Sequence, residues 1–174
     1  MDYNLIYTPD KLHRYIKDAG VIAFDFETAP DDTWRDEPKA ALDAHKAHIV
    51  GVSLSVSEGT AVYLPFTHKV GKNVQSRDEL LQLLTTDVFE NPAVVKVAHN
   101  LSFEAMFLYA QGIVVCEPCY DTIAAAQLTL KSRFEFRNLS DSGLKLLATS
   151  LFGANMPDFN TVTAGRHFDE MNPA

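Results

Sequence analysis

Basic residues are scarce. The chain carries 15 Lys and Arg against 23 Asp and Glu, a net charge of −8 over 174 residues. Phosphates prefer Lys and Arg, so this balance argues against a broad basic surface laid along nucleic acid. It leaves open a site where acidic side chains hold divalent cations and the cations face phosphate. Cysteine is scarce too: only Cys116 and Cys119 occur, as Cys-Glu-Pro-Cys. With no second such pair and no paired-His spacing, this is neither a disulfide framework nor a zinc site, and the expectation is two unlinked thiols in a loop. No run of 18 apolar residues exists, so nothing is expected to span a membrane. The start, MDYNLIYTPDKLHRY, lacks the basic and apolar regions of a signal peptide. These absences predict a soluble, cytoplasmic protein. A hydrophobic content of 47% in a chain of this length suits one domain with its own core.

What is present reads as alternating strands and helices. Thr8-Pro9 suits the start of a helix that runs to about Ala19 and stops at Gly20. VIAFDF (21–26) reads as a strand, IVGVSLSV (49–56) and TAVYLPF (60–66) as a hairpin around Glu58-Gly59. Residues 29–47 read as irregular. Ser76 and Glu79 have capping-box spacing ahead of LLQLL, in a helix ending near Asn91-Pro92. AVVKVA (93–98) is the fourth strand. Asn100 can cap the helix LSFEAMFLYAQ, which closes at Gly112, and IVV (113–115) is a short fifth strand. Asp121 begins a helix through Leu130, and Ser140 or Ser142 begins another through about Phe152. The last twenty residues are rich in turn formers and show no period. The order predicts an α/β fold, a mixed five-stranded sheet flanked by helices.

The strand at 21–26 continues into two acids, Asp25 and Glu27. Alternate residues of a strand share a face, so these two project together while Phe24 and Phe26 turn into packing. Carboxylates that close repel each other; one takes a proton or a cation sits between them. Hard ions such as Mg²⁺ prefer such oxygen ligands. By itself the pair also suits two solvated acids at a strand end. Glu104 strengthens the cation reading. It lies about one turn into the helix after the fourth strand, which should neighbour the first, so it can lean back toward the pair.

FDFET followed by HNLSFEAMFL resembles the first two motifs of the 3′–5′ exonuclease domain of family A DNA polymerases, in the DEDD, ribonuclease H-like superfamily. Tyr120-Asp121-Thr122 and GLKLLATSLFG (143–153) resemble stretches that follow in such domains. The resemblance covers roughly residues 20 to 152. It implies that Asp25, Glu27 and Glu104 are catalytic metal ligands, and that Thr28, Asn100 and Phe103 shape the site for the 3′-terminal nucleotide. It implies two Mg²⁺ or Mn²⁺ ions, a single-stranded DNA 3′ end as substrate, and a polymerase domain as partner. Glu104 departs from the family's usual Asp by one methylene, keeping the carboxylate. The family's third motif, a helix with Tyr or His four residues before a final Asp, is not found. Asp158 and Asp169 lack such a partner four residues earlier. The expectation is therefore one exonuclease-like domain over residues 1–174, cut before its third acidic motif and weak or inactive alone. Two alternatives stay open: a ribonuclease of the same superfamily that trims RNA ends, and a nuclease-dead module that binds nucleic acid or serves structure.

Overall fold

The structure, a computed structural model, describes residues 2–130 and 143–174. Its centre is a mixed sheet of six strands: β1 (Asp2–Leu5), β2 (Val21–Pro30), β3 (Ala47–Ser55), β4 (Thr60–Pro65), β5 (Val95–Ala98) and β6 (Cys119–Asp121). Their spatial order is β1-β4-β3-β2-β5-β6. β2, β3 and β4 form an antiparallel meander, while β1 runs parallel to β4, and β5 and β6 run parallel to β2 and to each other. The strand that carries the acids is thus interior, with a neighbour on each side.

The sheet has six strands where five were expected, and two differences account for that. β1 is four residues long and too short for a clear alternation. It becomes a strand through its parallel pairing of Leu5 with Tyr63 and of Asn4 with Val62. The run 113–115 is no strand. The Ile113 N–H is spent on the Leu108 carbonyl that ends the preceding helix, and Ile113 is buried there. The edge strand comes later: Lys96 N–H bonds the Pro118 carbonyl, and Ala98 pairs with Asp121. Residues 29–47 are also more ordered than expected. β2 continues to Pro30, and 3₁₀ turns follow at Asp32–Trp34 and Ala40–Leu42.

The helices are α1 (Pro9–Ile16), α2 (Arg77–Leu84), α3 (Leu101–Tyr109), α4 (Thr122–Leu130), α5 (Leu144–Phe152) and α6 (Phe159–Thr163). Ser76 accepts the Glu79 N–H at the start of α2, which runs on into a π turn at Thr85–Phe89. Leu144 begins α5, and both serines proposed to start it lie outside the described residues. The last twenty residues hold α6 and a 3₁₀ turn at Phe168–Glu170.

Alternation on β2 sorts its side chains as the pattern requires. Phe24 and Phe26 are buried and meet Phe89, with ring centroids 5.1 and 6.1 Å away. Around them lie Leu12 and Ile16 of α1, Leu80 and Leu84 of α2, and Phe107 and Leu108 of α3. Burying one such side chain contributes about 1.5–3 kcal/mol. The opposite face of β2 carries Asp25 and Glu27. α1, α2 and α3 therefore fill one side and leave Asp25 and Glu27 clear of the main core.

Candidate functional site

β5 is much shorter than β2, and that difference builds the site. The two strands pair only over Val21–Ala23 and Val95–Val97. Beyond Ala23 the edge of β2 has no strand beside it. The chain leaves β5 through His99 and turns at Asn100, whose φ of 74° is left-handed, a conformation Asn tolerates better than most residues. α3 starts at once, and Glu104 comes back to the open edge. Its Oε2 accepts the Phe26 N–H at 3.1 Å. A helix-borne carboxylate thus takes the place that the next residue of β5 would hold.

Phe26 lies between Asp25 and Glu27, so this bond brings all three acids together. Glu104 is 2% exposed, Glu27 half-buried and Asp25 exposed. Burial, then the Asp25 charge, push the Glu104 carboxyl up to about 8; the Phe26 N–H pulls the other way, and the Glu27 charge adds a smaller push. Burial and the Asp25 charge push Glu27 up to about 7. Asp25 is raised by burial of its surroundings, though water reaches it and screens the effect. None of these pressures comes from a cationic side chain.

Among the described residues, no three His, Cys, Asp or Glu side chains stand already gathered around a cation position. The reason is visible at Glu104, whose carboxylate is turned onto the Phe26 N–H. The donor set nonetheless fits hard divalent cations: three carboxylates in mutual electrostatic reach, two of them driven toward protonation by desolvation and by each other.

The helix that carries Glu104 is held by Asp121. Asp121 Oδ1 accepts the Asn100 N–H at 3.1 Å and the Ile123 N–H at 2.9 Å, and Oδ2 accepts the Leu101 N–H at 3.0 Å. It therefore caps its own helix, as expected, and also α3. Asn100 does not cap α3 with its side chain; its Oδ1 accepts the Ser102 hydroxyl instead.

The three positions expected to shape a nucleotide site do not converge as the acids do. Thr28 follows an irregularity in the β2–β3 register and donates its hydroxyl to the Ala41 carbonyl at 2.7 Å. Asn100 is exposed at the turn into α3. Phe103 packs on Phe107 at 5.0 Å between centroids, at the edge of the core. Cys116 and Cys119 are free thiols, as expected. Asp169, weighed as a replacement acid, is fully buried and engaged elsewhere. Burial pushes its carboxyl up, but Arg35 at 2.6 Å and Lys69 at 3.3 Å outweigh that and hold it low.

Two residues went unnoticed in the sequence. Tyr63 of β4 and buried His68 line a cleft of about 500 Å³ together with Glu27. The signal was the register of the hairpin: Asp25 pairs with Ser53, and Ser53 with Tyr63, so Tyr63 shares the acids' face. A second cleft of about 260 Å³ lies along Asp25, Ser53, Ser55, His99 and Thr122.

The family model described as 3′–5′ exonuclease matches residues 3–164. DNA polymerase I of Rhizobium leguminosarum is 32% identical over 125 residues, which are 59% of this chain and 11% of the polymerase. DNA polymerase I of Pseudomonas aeruginosa is 29% identical over 157 residues, 86% of this chain and 16% of the polymerase. The chain thus spans a small part of the length of those relatives. The crystal structure of Trypanosoma brucei RNase D shares the fold, with a TM-score of 0.69 over 99% of this chain and 57% of that one, at 16% identity. No helix among the described residues is long and apolar enough to cross a membrane.

Proposed function

The chain belongs to the 3′–5′ exonuclease family, and from that premise we propose that it is a single metal-dependent exonuclease domain that removes nucleotides from the 3′ end of single-stranded DNA. The observation that carries this reading is the meeting of Glu104 with the Asp25/Glu27 pair at the open edge of β2. Asp25, Glu27 and Glu104 are its ligands for Mg²⁺ or Mn²⁺. Bound there, divalent ions supply charge that stabilises the attacking and leaving oxygens of an in-line displacement.

The chain's own residues do the rest. The carboxylates fix where positive charge can collect beside a phosphodiester. The Phe26 N–H holds Glu104 until a cation claims it, and the Asp121 cap keeps α3 in register with β2. Asn100, one turn before Glu104, Phe103, next to it in α3, and Thr28, just beyond Glu27, are the positions that would flank a strand end. Water attacks the terminal phosphorus, the bond to the 3′ oxygen breaks with a proton taken up by that oxygen, and a nucleoside 5′-monophosphate leaves. The relatives named DNA polymerase I support a polymerase domain as the partner of this one.

The test is a 5′-labelled single-stranded DNA oligomer with Mg²⁺ or Mn²⁺, beside an RNA oligomer of the same sequence. Weak stepwise shortening of the DNA, abolished by EDTA and by Asp25→Asn, is the expected result. Shortening of the RNA alone would replace the DNA reading with the RNA-trimming one. No shortening of either would leave a module that only binds.

A further inference from the structure

We propose that Tyr63 is a further catalytic residue, whose hydroxyl oxygen accepts a hydrogen bond from the attacking water, and that His68 is the positioning residue that turns the hydroxyl that way. The inference rests on the exonuclease reading above. It starts from a line of hydrogen bonds that nothing so far requires.

His68 is 5% exposed. Its Nδ1 lies 2.8 Å from the Met171 carbonyl oxygen, and its Nε2 lies 2.8 Å from the Tyr63 hydroxyl. A carbonyl only accepts, so in the neutral ring Nδ1 carries the hydrogen and Nε2 is a bare acceptor. Burial lowers the His68 pKa, which favours that neutral ring. Tyr63 must then donate its one hydrogen to Nε2. Its remaining lone pairs can only accept, and Tyr63 lines the cleft shared with Glu27.

The fold aims this oxygen deliberately close to the acids. Gly51 is the cross-strand partner of Glu27. A Cβ on Gly51 would meet the Tyr63 hydroxyl oxygen at 2.1 Å, so the phenol lies directly over the bare backbone beside Glu27. The Glu27 charge adds to burial in raising the Tyr63 pKa, a second sign of that proximity. With one hydrogen held by Tyr63, the water presents a lone pair toward phosphorus. Attack then forms the phosphorus–oxygen bond and breaks the one to the 3′ oxygen, as above.

Tyr63→Phe removes only the hydroxyl, and the ring that covers Gly51 stays. The expected result is a kcat about 10- to 100-fold lower, the range in which hydrogen-bonding partners around a metal site act, with KM for the oligomer and Mn²⁺ affinity by calorimetry within about twofold. His68→Leu should lower kcat similarly and leave KM alone. In ¹⁵N spectra of the unaltered protein, His68 should show the neutral ring with hydrogen on Nδ1. Hydrogen on Nε2 overturns the inference whatever the activity. Unchanged kcat in Tyr63→Phe, with Asp25→Asn inactive, overturns it and leaves the exonuclease reading standing. Loss of Mn²⁺ affinity in Tyr63→Phe makes the residue structural and overturns it too. An unaltered chain that cleaves nothing overturns both.

Discussion

Glu104 accepts the backbone N–H of Phe26 at 3.1 Å, across 78 residues of sequence. The bond joins a helix to the open edge of a strand and brings the one carboxylate of α3 to the two on β2. Several measurable consequences come from it.

Mn²⁺ or Mg²⁺ should raise the melting temperature, since a ligand of the native state alone stabilises it by mass action. The effect is about 2.7 kcal/mol at a hundredfold excess over Kd. Asp25→Asn should abolish the rise in a thermal melt. A mutant that still responds like the parent would place the ions elsewhere.

Without metal, stability should fall between about pH 5 and pH 8. Glu27 and Glu104 have folded-state pKa values raised to about 7 and about 8, above the ordinary value of 4.5. In that window the native state binds more protons than the unfolded state, so raising pH favours unfolding. The effect is complete once pH passes the folded values. Metal should reverse the trend, because binding to deprotonated carboxylates strengthens as pH rises. Melting temperatures across pH, with EDTA or with Mg²⁺, read both signs. A Glu104→Gln chain should lose most of the metal-free slope.

Asp121→Ala should cost about 1–2 kcal/mol in chemical denaturation, a helix cap's usual worth, because it strips acceptors from two helix starts. It should also weaken Mn²⁺ binding, measured by calorimetry, since α3 carries Glu104. Lost stability with Mn²⁺ affinity intact would show that the cap does not position the acid.

Phe89→Ala should destabilise the fold by about 3–5 kcal/mol, as truncation of a buried aromatic does. Phe89 is fully buried against Phe24 and Phe26, on the far side of β2 from Asp25 and Glu27. Where the variant folds, Mn²⁺ affinity should be little changed.

Gly51→Ala should destabilise by about 1–3 kcal/mol, the range for overpacking. The new methyl would meet the Tyr63 hydroxyl oxygen at 2.1 Å and the Leu64 carbonyl oxygen at 2.8 Å, so the phenol must leave its place beside Glu27. Denaturation midpoints would measure the cost.

The acids could be read from the chain because each signal was local. Asp25 and Glu27 obey the period of a strand, and Glu104 falls at a fixed distance after a strand end that should lie alongside. The place of β5 beside β2 came from the same reasoning. What escaped was non-local. β1 has only four residues and is defined by pairing with β4. The apolar run at 113–115 looked like a strand, but its first N–H serves to close α3. Tyr63 and His68 looked like an ordinary strand aromatic and a loop histidine. Their placement depends on a hairpin register, on one residue without a side chain, and on a carbonyl 103 residues away. Asn100 had the right composition for a cap, yet Asp121, at the end of β6, supplies the acceptors.

The double cap at Asp121 has a mechanical side. It clamps α3 at Asn100 and Leu101, and Glu104 lies three residues on, about 4.5 Å along the axis at 1.5 Å per residue. A helix tilting about 10° on that pivot would move a point at this distance by under about 1 Å. The far end lies about 12 Å from the pivot, and there Phe107 and Leu108 are buried in the core while Tyr109, 74% exposed, faces solvent. The acid sits on a short lever, so a push at Tyr109 that the core yields to would reach its carboxylate much reduced.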